Sequence, residues 1–203
     1  MEDLVMRKKL MFCLPVLMFA GALIGPASFA ADKSEVTGAE LFNPLPLLLP
    51  GFPPEPIGQF LAMPTIMCPG HTPTSDPMQP CPEGSRTHFR DGLVLAQIIA
   101  DDPRMTGWMT VELNANFDAG FEGPCWGTFS IDIDDDEGTW EGTWQGLRVA
   151  EDGYWVATLN VQGRGFGGAV DGLKLMGEDR LLLVTPMPLA YTSVFQGRII
   201  DPN

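Results

Sequence analysis

An antiparallel all-β barrel is the fold this sequence predicts, and three observations predict it. Side chains alternate between two faces in run after run, as they do along a strand. Short turn sequences rich in Gly, Asp and Pro separate these runs at regular spacing. In the central run, large rings alternate with glycine on one face, which is how a strongly coiled sheet fills its interior. Together these read as a meander of seven or eight strands, closed or nearly closed into a barrel and preceded by a Pro-rich extension. Closure also removes the exposed edges that an open meander would leave.

The central stretch, Trp126 to Arg164, carries most of the argument. From Gly138 to Val149, Trp140, Trp144 and Arg148 share one face with Gly138, Gly142 and Gly146, while Thr139, Glu141, Thr143, Gln145 and Leu147 take the other. The preceding run sets Phe129, Ile131 and Ile133 against Thr128, Ser130 and Asp132; the following one sets Trp155, Ala157, Leu159 and Val161 against Tyr154, Thr158, Asn160 and Gln162. Asp135-Asp136-Glu137-Gly138 and Ala150-Glu151-Asp152-Gly153 supply the turns.

Outside this stretch the same pattern continues. Leu93 to Ala100 is apolar on both faces apart from Gln97, Gly107 to Phe117 alternates, and Tyr191 to Ile200 forms the last strand. Two further strands are read at Ala169 to Met176 and Leu181 to Thr185. Trp108 and Trp126 fall on polar faces, which suggests the barrel mouth.

The chain begins differently. Arg7, Lys8 and Lys9 precede an apolar run from Leu10 to Ile24, and Ser28-Phe29-Ala30 is a small-x-small site. This is the pattern of a secretory signal peptide over residues 1–30. The run is shorter than the roughly 20 residues a membrane span needs, and no later run reaches that length, so no span is expected after cleavage. Secretion or a periplasmic location follows. Residues 31–85 read as an extended, Pro-rich segment, with Asp32 to Glu40 polar and frayed and Ile57 to Met63 as a helical turn, and residues 86–203 as the barrel domain.

The whole chain carries a formal charge of −14, and loss of residues 1–30 removes three basic and two acidic groups, which takes it to −15. Such an acidic surface repels phosphate backbones and excludes nucleic acid as a natural partner. Cys68 and Cys81 bracket a Pro-rich loop that nothing else would hold, and an oxidising compartment favours a bridge between them. The closed loop would contribute about 3 kcal/mol. Cys125 is then left over as a buried or turn thiol.

Motif by motif, no chemistry is assigned. Gly163 to Gly168 matches a dinucleotide fingerprint literally, but no helix begins within it, so it reads as a glycine-rich bend. Asp132, Asp134 and Asp136 open like a calcium loop, yet the positions that require Gly and Glu hold Glu137 and Thr143. His71 and His88 sit in no nucleophile or zinc motif. No metal, cofactor or catalytic residue is predicted. What remains is the aromatic face: Trp140, Trp144, Trp155, Tyr191 and Phe195, with Arg148 as polar anchor, line either a filled core or a cavity for one small ligand.

The segments DPRMTGWMTVELNANFD, GPCWGTFSI, GTWEGTWQG, GRGFGG and FQGRIIDPN resemble those of uncharacterised secreted bacterial β-domains, over about Arg86 to Asn203. More loosely, the glycine and aromatic meander is similar to the barrels of allene oxide cyclases and dirigent proteins. That second resemblance implies a cofactor-free barrel that guides a reactive apolar intermediate, and no catalytic residue of those families maps onto a position here. Three functions follow as expectations: non-catalytic binding of a small apolar or aromatic molecule, a cyclase-like enzyme, or a structural or surface-interaction protein with a filled core.

Overall fold

The computed structural model describes residues 32–44, 55–69, 81–82, 84–134, 137–185 and 190–202. The signal peptide expected over residues 1–30 lies outside them. Among the described residues ten strands form one sheet: β1 (Asp32–Phe42), β2 (Gln59–Ala62), β3 (Thr65–Met67), β4 (Thr87–Ala100), β5 (Gly107–Phe117), β6 (Gly123–Ile133), β7 (Thr139–Glu151), β8 (Tyr154–Phe166), β9 (Lys174–Thr185) and β10 (Ala190–Asp201). From β4 to β10 each strand pairs antiparallel with the next, and β1 pairs with both β10 and β4. Eight strands thereby close into an antiparallel barrel, with β2 and β3 outside the ring.

Closure depends on β1, and this corrects the expectation that Asp32 to Glu40 frays. Val36, Gly38, Glu40 and Phe42 share one face, but a glycine and an acid among them hide the apolar alternation. β1 runs the length of β10, and its Gly38–Leu41 stretch also meets Gln97–Ala100 of β4. Farther along β4, Leu93–Leu95 pair with β2 and His88–Arg90 with β3. The free edge of a long strand is thus covered in three successive pieces. Ile57 to Met63 contains strand β2 rather than a helical turn, because the edge of β4 offers its backbone hydrogen-bond partners.

A second correction concerns β9. Two strands were expected where one continuous strand runs from Lys174 to Thr185. The polar stretch Glu178-Asp179-Arg180 resembles a turn in sequence, yet it stays in register with both β8 and β10. The strand count of the ring is unchanged, because β1 replaces the extra strand.

Rings pack into the spaces that inward glycines leave, as the alternation implies. A Cβ on Gly142 would lie 2.1 Å from the Gln162 carbonyl oxygen and 2.5 Å from the Phe129 ring. The missing side chain between Trp140 and Trp144 is therefore the space that Phe129 occupies from the neighbouring strand. In β4 the register shifts between Phe89 and Gly92, with Asp91 at φ 57°. The bulge is held by the Asn114 amide oxygen, which accepts from the Asp91 backbone N–H at 3.2 Å, and by Arg90, whose Nη1 donates to the Ala115 carbonyl at 2.7 Å. The Cys68–Cys81 disulfide is formed, and Cys125 is a buried free thiol.

Candidate functional site in the barrel interior

Inward positions on the eight strands surround a cavity of about 130 Å³. Its walls are mostly apolar, with Val94, Met109, Phe129, Leu159 and Leu175 among them. Of the aromatic face read from the sequence, Trp144, Arg148, Tyr191 and Phe195 border this space. Trp140 and Trp155 do not. Trp140 is 0% exposed, and its indole N–H donates to the Arg104 carbonyl at 2.6 Å. It helps plug one end of the barrel beneath the 3-10 turn Pro103–Met105. Trp155 donates to the Gly120 carbonyl at 3.1 Å, which ties the opposite end to the loop after β5. Trp108 and Trp126 lie on the outer wall, where Trp108 is exposed and Arg90 sits 5.2 Å over the Trp126 ring.

Two polar features interrupt the apolar lining. The first is an acidic cluster where β1, β10 and β9 run side by side. Tyr191 donates its phenolic hydrogen to Glu40 Oε1, and the Glu40 backbone N–H donates to the Ser193 hydroxyl at 3.1 Å. Ser193 in turn hydrogen-bonds the Asp179 carboxyl, whose other oxygen, Oδ1, is buried without a partner. Burial and the nearby Asp179 push Glu40 up to about 8. Burial pushes Asp179 up to about 6 against the pull of its hydrogen bonds. Burial and the neighbouring acids hold the Tyr191 phenol well above its ordinary value. Around neutral pH the cluster therefore retains a proton, because two carboxylates this close in an apolar wall do not both ionise.

The second feature is Arg148 on β7. In the ring order β7 stands four strands from β1, so Arg148 and Glu40 reach the interior from opposite staves. Arg148 Nε donates to the Phe121 carbonyl at 2.7 Å, and its guanidinium lies 3.7 Å over the Phe117 ring. Burial draws Arg148 down to about 10, which leaves it charged at neutral pH. Burial also pushes the adjacent Cys125 up to about 11, so its sulfur is a thiol and a poor nucleophile.

Glu40 and Asp179 are the site residues that motif reading misses. The only signal for either is its phase: Glu40 alternates with Val36 and Phe42, and Asp179 with Leu175 and Leu183. Each is an acid at an inward position, which costs free energy unless it is hydrogen-bonded or protonated. The Gly163 to Gly168 stretch ends β8 and enters a 3-10 turn, with the Gly165 backbone N–H donating to the Leu173 carbonyl at 2.9 Å. Among the described residues no three His, Cys, Asp or Glu side chains gather as metal ligands, and no helix is long and apolar enough to cross a membrane. The acidic turn residues 135–136 lie outside the described residues.

Comparison of the chain with family models, with curated proteins and with solved structures finds no match.

Proposed function

We propose that this barrel binds one small, largely apolar or aromatic molecule in its interior, after secretion into an oxidising compartment. The unfilled space is the observation that carries the reading. Protein interiors pack as densely as organic crystals, yet about 130 Å³ remains here among Trp144, Phe129 and Phe195. An apolar cavity of about 150 Å³ is enough for a benzene-sized guest. Met63, 39% exposed, also borders the space, so the outer segment between β2 and β3 is the side from which a ligand enters. Native mass spectrometry of the disulfide-bonded protein from its own compartment tests this. A discrete bound mass, or uptake of toluene or xenon, supports the reading; a bare mass with no uptake of either removes it in favour of a filled-core surface protein.

A second reading, a cofactor-free enzyme such as the cyclase resemblance implies, is favoured by one observation. Asp179 presents a buried, unpaired carboxylate oxygen beside the proton-bearing Glu40 and Tyr191 groups, all three bordering the cavity. A base next to acids in a dry site is an arrangement suited to moving protons on a bound apolar substrate. Solvent-deuterium exchange into cyclic ketones, lost in Asp179→Asn, would support it; absence of exchange with the unaltered protein counts against it.

A further inference from the structure

Resting on the reading that the cavity holds a small apolar molecule, we propose that this molecule carries a carboxylate and that Arg148 receives it. Arg148 is 5% exposed and borders the cavity. Its Nη2 is buried and has no hydrogen-bond partner. None of the ion pairs among the described residues involves it. A buried cation without a counter-charge is costly, and the Phe117 face and the Phe121 carbonyl offset only part of that cost. A ligand carboxylate at Nη2 supplies the missing anion and acceptor together.

The surroundings narrow the ligand further. Phe117 and Phe121 fix the guanidinium before anything binds, so little ordering remains to be done on association. Among the described residues, the lining offers no charged group besides Arg148 and the acidic cluster. A monoanion whose remaining surface is a ring or short hydrocarbon fits this arrangement. A phosphate dianion would have to shed more hydration than one free guanidinium nitrogen restores. The acidic cluster sits on β1, β10 and β9, four, three and two strands round the ring from β7, and its retained proton limits the charge with which it opposes the ligand. The chain's charge of −14 slows an anion's approach, but at ordinary salt that field is screened over about 10 Å and acts on the association rate.

The test is calorimetric titration of the disulfide-bonded chain with benzoate, toluene and benzylamine. Benzoate is expected to bind about tenfold or more tighter than toluene, as one charge-assisted hydrogen bond in a dry site implies, and benzylamine least well. Arg148→Met should bring benzoate to or below toluene while toluene binding persists, and the persistence also shows that the variant is folded. Arg148→Lys, which keeps a cation without the planar fork, should fall between the two; it replaces the methionine variant if that one does not fold. Toluene binding with no preference for benzoate, or a preference that survives both substitutions, overturns the carboxylate assignment and leaves the binding cavity standing. Failure of all three probes overturns the cavity reading itself.

Discussion

Tyr191 donates a hydrogen bond to Glu40 from a position 151 residues away in sequence, across the seam where β1 closes the barrel against β10. The pair joins the closing strand to the last strand and places a protonated acid in the wall of the cavity. Phe42, two residues beyond Glu40, stacks on the same Tyr191 ring with centroids 5.2 Å apart. Closure and the polar patch therefore share the same residues.

Stability should fall as pH rises through the neutral range. Glu40 ordinarily titrates at 4.5 and is raised to about 8 in the folded protein. Between those values the folded chain keeps a proton that the unfolded chain has released, so the stability present below 4.5 is lost progressively up to about 8. Asp179, raised to about 6, acts in the same direction over the lower part of that window. Chemical denaturation at about pH 5 and about pH 8.5 should show the higher midpoint at the lower pH, and Glu40→Gln should flatten the difference. An unchanged slope in Glu40→Gln would assign the effect to surface repulsion instead.

The architecture is legible in the sequence wherever large apolar or aromatic side chains dominate a strand's inward face. β5 to β8 show this clearly, and their meander follows directly. β1 and β9 are obscured for a single reason: each carries an acid on its inward face, Glu40 or Asp179, and an inward glycine beside it, Gly38 or Gly177. Those acids are tolerated because Ser193, Tyr191 and a shared proton come to them from other strands, and no local pattern records such partners. The cavity is invisible for a related cause. Alternation tells which rings point inward, but whether Trp140 lines space or plugs an end depends on the Arg104 carbonyl that its indole meets.

Reduction of the Cys68–Cys81 bridge should weaken the fold without dismantling the ring. The bridge follows β3, a three-residue outer strand on the edge of β4, and Ile66 in that strand is buried in the core. The bond closes a sequence separation of 13, and for a loop of that size the stabilisation is about 3 kcal/mol. Cys68→Ser with Cys81→Ser should lower the unfolding free energy by that amount while far-ultraviolet circular dichroism stays β-rich. A variant as stable as the parent would show that β3 is held by its packing alone.

Trp144 distinguishes a wall that bears packing from one that merely borders space. Its ring is buried and lines the cavity, but its indole N–H is buried without a partner. Truncation of such a ring ordinarily costs about 3–5 kcal/mol. Here the loss should lie near the lower figure, because one side of the ring already faces empty volume and an unmet donor disappears with it. Trp144→Phe, which removes the donor and keeps an aromatic wall, should cost about 1 kcal/mol or less. Urea denaturation of the two variants beside the parent reads both numbers. Trp144→Ala should also take up guests larger than toluene, and a variant that loses stability without that gain would mean that the neighbouring strands have collapsed into the vacated space.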